Sequence, residues 1–263
     1  MTVLNIRKMS HNLSQMTVDE VIDAWTMQVD QKVAQNPEGA QFGFQLLDHA
    51  LKLLTQGQPV SAERLAANAD LPLEEVQAAY EQMQAQGGEF DENGNLTGAA
   101  LTLIPTPHRF RVNGRLLYTW CSLDAMFLPG LLGETAVVES TCPSSGETIH
   151  LTITPDGVTD YSPTTTVLSI AVPGLTCETE NISCSPDKKG GSQREGCNQM
   201  NFFRDRAAAE AWIEDYPGVA ILAVAEAWQL AKTNWIDRHQ GQTIINPDRR
   251  DIVDSNHQVG CCC

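Results

Sequence analysis

Leu117-Tyr118-Thr119-Trp120-Cys121-Ser122-Leu123-Asp124 is the point where an extended run gives way to a helix, and the reading of the fold turns on it. Residues 109–118 before it read as strand, interrupted by Asn113-Gly114, a dipeptide suited to a tight hairpin turn. If a helix begins near Cys121, residues three apart share a face, so Cys121 and Asp124 stand side by side. The positive end of a helix favours thiolate, so Cys121 is expected to have a lowered pKa and to act as a nucleophile or soft-metal ligand. A neighbouring carboxyl group can carry a proton. The spacing alone is common, and a buried structural cysteine followed by an ordinary first-turn aspartate fits it as well.

Upstream, Thr17 with Glu20 three residues on predicts a capped helix over 18–33, broken at Asn36-Pro37-Glu38-Gly39. Apolar spacing over 42–54 predicts a second helix that ends by Gly57. Ser61 caps a third helix, and Asp70-Leu71-Pro72 opens a fourth with Val76, Ala79, Tyr80 and Met83 on its apolar face, stopped by Gly87-Gly88. Asp91-Glu92-Asn93-Gly94 is a hairpin turn leading to one strand over 96–104. Three helices followed by a hairpin is the winged-helix pattern. Its presumed recognition helix carries Glu74, Glu75 and Glu81 and no basic residue, and glutamates repel phosphate, so a packing module without DNA is expected.

Downstream, the helix from Cys121 to about residue 132 is rich in Leu, Met and Phe, with Pro129 near its end. Strands are expected at 135–139, 148–154 and 165–172, with Ser144-Ser145-Gly146 as the turn between the first two. A polar, Gly-rich loop runs over 173–196, then Cys197 leads into a strand at Met200-Asn201-Phe202-Phe203. A helix over 207–213, a strand over 219–224 and a final helix over 225–235 complete an order without βαβ rhythm, so the expected class is α+β. The expected division is an N-terminal extension with one helix (1–37), a winged-helix-like unit (38–105), a catalytic unit (106–237) and a flexible tail (238–263) ending in Cys261-Cys262-Cys263.

The net charge of −16, with 17 basic against 33 acidic residues, argues against nucleic acid as a partner. No apolar stretch is long enough for a membrane helix and no secretory signal opens the chain, so a cytoplasmic location is expected. The eight cysteines are 121, 142, 177, 184, 197, 261, 262 and 263. In a reducing compartment they suggest metal or catalytic chemistry rather than disulfides, yet no Cys-x-x-Cys or His-x3-His spacing supports a structural zinc site. Cys177 and Cys184 lie in the polar loop, where they could pair or ligate, with incidental use the blander reading.

The ordered set Trp120-Cys121-Ser122-Leu123-Asp124, Phe127-Leu128-Pro129, Leu132-Gly133-Glu134-Thr135-Ala136, Cys142, then Cys197 and Asn201-Phe202-Phe203, resembles the core of the alkylmercury lyase (organomercurial lyase) family. Gly218-Val219-Ala220-Ile221 and Glu226-Ala227 extend the match, which spans roughly residues 42–235. The resemblance implies cleavage of a carbon–mercury bond to a hydrocarbon and Hg(II), as in mercury detoxification. It implies Cys121 and Cys197 as the two catalytic cysteines, Asp124 as the catalytic acid, and a structural role for Cys142. It implies Hg(II) product held by Cys121, Cys197 and Asp124, no organic cofactor, and low-molecular-weight thiols to strip the product. A mercuric reductase is a further candidate partner. Cys261, Cys262 and Cys263 are candidate mercury ligands, against the alternative of an incidental terminus.

Three features depart from the family pattern: Asn198 where a second cysteine often follows, Asn201 where a histidine is usual, and a longer 173–196 loop that bears on substrate access. Two other functions fit soft ligands on this chain: a non-catalytic heavy-metal binding or delivery protein, and a metal-responsive winged-helix regulator. The acidic charge argues against the regulator, and a storage site gains little from an acid at Asp124.

Overall fold

The computed structural model describes residues 16–85, 87–173, 194–216 and 218–241. Helix α1 (Val18–Gln35) opens with the expected capping box: the backbone N–H of Thr17 donates to Glu20, and that of Glu20 donates to the Thr17 hydroxyl. Asn36 ends it and caps α2 (Pro37–Leu54), which starts earlier than its apolar spacing suggested because Pro37 fits a first-turn position. Ser61 caps α3 (Ala62–Ala69), and Asp70 closes that helix in a left-handed conformation. Helix α4 (Leu73–Ala85) buries Val76 and Tyr80, and its first turn carries Glu74 and Glu75.

Strands β1 (Glu89–Phe90) and β2 (Leu96–Ala99) pair across the Asp91–Gly94 turn. The single strand expected over 96–104 is instead two. Ala100 has φ +63°, and the chain doubles back so that β3 (Leu101–Thr102) pairs antiparallel with β2. Strands β4 (His108–Val112) and β5 (Arg115–Thr119) form the hairpin around Asn113-Gly114, both of which have positive φ. With β6 (Ala136–Thr141), β7 (Thr148–Thr154) and β8 (Gly157–Ser162) they make an eight-stranded antiparallel sheet, ordered β1-β2-β3-β5-β4-β6-β7-β8. Strand β3, before residue 105, and strand β4, after residue 106, both pair with β5 in this one sheet. A second sheet is ordered β10-β9-β11, with β9 Val167–Ala171, β10 Phe202–Phe203 and β11 Val219–Ala223; α6 (Arg194–Cys197) precedes β10 and α7 (Arg206–Ile213) follows it. The fold class is mixed α+β.

Helix α5 (Ser122–Leu132) is the hub. Every residue from Ser122 to Leu131 is buried, as an element apolar on all sides must be. It packs against α2, β7, α8 (Val224–Ala231) and the π turn Lys232–Ile236. The final helix expected to reach residue 235 thus ends at Ala231 and widens into that turn, which presents Trp235. The Trp235 ring stacks on Phe127 of α5, with centroids 5.2 Å apart, and meets Trp25 of α1 at 5.2 Å. Trp25 Nε1 donates to the carbonyl of Ala171, 3.1 Å away, and Arg238 pairs with Asp30 at 2.7 Å. The first helix is therefore sewn to the back of the helix that begins at Cys121. Among the described residues no helix is long and apolar enough to cross a membrane.

Candidate active site

Thr119 ends β5, and Cys121 is the N-cap of α5 with extended backbone (φ −148°, ψ 176°). Two bonds fix the junction. The Trp120 N–H donates to the carbonyl of Ala100 at 3.0 Å, and the Thr119 hydroxyl donates to the carbonyl of Cys121 at 2.9 Å. The backbone N–H of Cys121 donates to Asp124 Oδ2 at 2.9 Å, so the carboxyl group is held on the first turn beside the thiol.

Cys197 arrives from the far side. It closes the one-turn helix α6 (Arg194–Cys197), which follows the expected loop, and the strand expected at 200–203 is the shorter β10 (Phe202–Phe203). Ser169, buried in β9, secures the approach. Its hydroxyl donates to the carbonyl of Gln199 at 2.7 Å and accepts from the N–H of Asn201 at 2.9 Å. The Met200 N–H donates to the carbonyl of Cys197, and the Ser122 N–H donates to the carbonyl of Met200 at 3.1 Å. This last bond joins the two thiol-bearing segments directly. The buried His108 and Phe202 rings meet edge-to-face with centroids 6.1 Å apart, and His108 Nδ1 lies 2.8 Å from Ser140 Oγ.

The result is one cluster: ligand atoms of Cys121, Asp124 and Cys197 all lie within 4.8 Å of one another. Cys121 is 1% exposed and Asp124 8%, while Cys197 is half-buried. Burial pushes the Asp124 carboxyl up to about 7, against the pull of its hydrogen bonds with Cys121. Burial also pushes the Cys121 thiol well above its ordinary value. Contact with the Cys197 sulfur and the charge of Asp124 add to this, and the backbone N–H of Asp124 opposes it. The lowered pKa expected from the helix end is therefore reversed. A helix terminus contributes roughly 0.3–1 kcal/mol, less than the loss of solvent around a buried anion. At rest the site holds a neutral thiol beside a carboxyl group poised near neutral pH.

Cys142 is buried but stands outside this cluster. Burial pushes its thiol up, but hydrogen bonds from the Ser145 side chain and from the backbone of Arg204, Ser145 and Ser144 pull it further down, so it lies below its usual value. Cys177, Cys184, Cys261, Cys262 and Cys263 fall outside the described residues. Ser169 was not singled out in the sequence: a serine inside Val167-Leu168-Ser169-Ile170-Ala171 carries no signal beyond that of a strand.

The family model for MerB, alkylmercury lyase, matches residues 101–236, which contain all three members of the cluster. The chain is 38% identical over 182 residues to the alkylmercury lyase of Streptomyces lividans, covering 69% of this chain and 78% of that protein. It is 36% identical over 182 residues to that of Staphylococcus epidermidis (strain ATCC 12228 / FDA PCI 1200), covering 69% and 77%. It is 37% identical over 180 residues to that of Pseudomonas putida, covering 68% and 78%. The crystal structure of the mercury-bound form of MerB2 shares the fold, with a TM-score of 0.62 over 82% of this chain and 99% of that one at 18% identity. With sequence matches across two thirds of its length and a shared fold, the chain belongs to the alkylmercury lyase family.

Proposed function

We propose that Cys121, Asp124 and Cys197 cleave the carbon–mercury bond of organomercurials by protonolysis, as the family's lyase activity in mercury resistance requires. The observation that carries this reading is the cluster itself, two sulfurs and one carboxyl group within 4.8 Å. Mercury is a soft cation and thiolate is the softest ligand a side chain offers. The substrate, R–Hg–X, exchanges X for the Cys121 sulfur, and the Cys121 proton passes to the carboxylate of Asp124. The Cys197 sulfur then adds, its proton leaving with displaced X. Two thiolates enrich mercury in electrons and weaken its bond to carbon. Carbon departs with the bonding pair and takes the proton from Asp124. The products are R–H, HX and Hg(II) held by two sulfurs. Burial supports the acid role, because a carboxyl group near 7 both takes and gives a proton at neutral pH.

Low-molecular-weight thiols remove Hg(II) by ligand exchange in this reading, with a mercuric reductase as candidate recipient and no organic cofactor. A cytoplasmic site of action belongs with it, since thiols stay reduced there. We also read the three helices α2 to α4 with the β1–β2 hairpin as a winged-helix-like packing unit, preceded by an appended helix and followed by the catalytic unit and the Cys-terminated tail. Acidic Glu74 and Glu75 on α4 disfavour DNA as its ligand.

The test is incubation of reduced protein with phenylmercury and excess thiol. Benzene and Hg(II) are expected in equal amounts, with release abolished in Cys121→Ser and in Cys197→Ser. Folded, reduced protein that releases no benzene contradicts the reading.

A further inference from the structure

We infer that His108 is a positioning residue for the reaction, holding the segment that carries Cys197 in place against the junction that carries Cys121. The inference rests on the organomercurial reading above and deepens it. The two sulfurs come from different sheets. Cys121 follows β5 of the eight-stranded sheet, and the Cys197 segment runs into β10 of the three-stranded one. One mercury atom must reach both sulfurs, so the fit of one sheet to the other sets the reacting geometry.

His108 spans the two. In β4 it lies opposite Thr119 of β5 on one side and Ser140 of β6 on the other. Its backbone is tied to the Cys121 junction. The His108 N–H donates to the Thr106 hydroxyl at 3.1 Å, that hydroxyl donates to the Thr119 carbonyl at 2.7 Å, and the Thr119 hydroxyl donates to the Cys121 carbonyl. Its side chain meets the other segment. The ring packs edge-to-face on Phe202, with the planes 68° apart. Phe202 pairs with Leu168 of β9 and directly follows Asn201, whose N–H is held by Ser169. His108 and Phe202 are both buried.

The Ser140 contact, 2.8 Å from Nδ1, fixes the rotation of the His108 ring. Burial pushes the imidazole down to about 4, so the ring is neutral at neutral pH and supplies no proton. What it contributes is shape. A close-packed interior passes a displacement on rather than absorbing it. Truncating the ring leaves a void beside Phe202 into which the Cys197 segment can shift. A misplacement of about 1 Å can cost on the order of 100-fold in rate. The first step, capture by Cys121, does not depend on that segment, whereas the addition of Cys197 does.

The experiment measures kcat for benzene release from phenylmercury by the full chain, reduced in excess thiol. It adds intact-protein mass spectrometry of the adduct formed with one equivalent of phenylmercury. His108→Ala should still form the adduct and should release benzene about tenfold or more slowly. His108→Phe refills the place of the ring and should keep most of the wild-type rate, while the stranded Ser140 hydroxyl lowers stability. Val112→Ala, also buried and at the far end of the same strand, should lower the denaturation midpoint without slowing release. If His108→Ala does not fold, His108→Leu, which keeps apolar bulk and loses the flat ring, decides with the same expectation. Wild-type release from His108→Ala, release from His108→Phe as slow as from His108→Ala, or an equal loss in Val112→Ala overturns the positioning role alone. A wild type that releases no benzene overturns the lyase reading and this inference with it.

Discussion

The backbone N–H of Cys121 donates a 2.9 Å hydrogen bond to Asp124 Oδ2, closing the first turn of α5 with the acid and the first sulfur side by side. The bond holds the carboxyl group in place without neutralising it. Burial then sets its proton affinity, at about 7. Below that pH Asp124 is already protonated and cannot receive the Cys121 proton when mercury arrives. Among the described residues, Asp124 is the one carboxyl group clustered with the Cys121 thiol, which burial itself pushes up. Accordingly kcat/KM for hydrocarbon release should fall as pH drops through about 7. Asp124→Ala should lose that limb and run about 100-fold or more slower, the usual contribution of a positioned acid–base group, while still binding the organomercurial. A pH–rate profile of both proteins with phenylmercury checks this.

The same carboxyl group costs the fold stability. Its folded pKa lies above its ordinary value of 3.8, so between about pH 4 and 7 the folded state binds a proton that the unfolded state has lost. Stability from this group therefore declines as pH rises through that window. Asp124→Asn keeps a hydrogen-bond acceptor for the Cys121 N–H without the buried charge. At pH 8 it should be more stable than wild type by up to about 4 kcal/mol, the rise from 3.8 to about 7 being roughly three pKa units at about 1.4 kcal/mol each. The difference should vanish near pH 4. Urea denaturation at the two pH values measures it, and an equal effect at both would show that charge is not the cause.

Ser169 serves Cys197 from a distance. Ser169→Ala leaves the Gln199 carbonyl and the Asn201 N–H without their buried partner, at a cost of about 1–3 kcal/mol in stability. Hydrocarbon release should slow as well, because the segment carrying the second sulfur loses its anchor. Ser169→Thr, which keeps the hydroxyl, should restore part of both. Denaturation midpoints and turnover of the two variants are the readout.

Gly130 permits the π turn to reach α5. A Cβ there would lie 2.5 Å from Ile236 Cδ1 and 2.7 Å from its Cγ1, and Ile236 is buried. Gly130→Ala should destabilise by about 1–3 kcal/mol through overpacking. Adding Ile236→Val should recover part of that loss, which a double-mutant cycle of thermal or urea unfolding reveals.

Much of this was legible in the sequence because local chemistry dictated it. The Thr17–Glu20 capping box, the Ser61 cap and the Asn113-Gly114 turn each appear where the residues require them. The pairing of Cys121 with Asp124 followed from helical spacing. The kink at Ala100 was hidden, since alanine carries no signature of a left-handed turn; tertiary pairing of β2 with β3 imposes it. Strand β8 was missed because both its faces are partly or fully exposed, so no apolar alternation marks it. Cys197 could be joined to Cys121 only by resemblance, as nothing local predicts that β9 and Ser169 bring the two together. The direction of the Cys121 shift was misjudged because burial is a property of the packed fold, not of the helix end.

The most direct test of the central claim is methane release from methylmercury by reduced protein in D2O with excess thiol, followed by mass spectrometry of the gas. Protonolysis predicts monodeuterated methane in step with Hg(II), and strongly slowed release from Asp124→Ala. Undeuterated methane, or full-rate release from Asp124→Ala, would contradict the account.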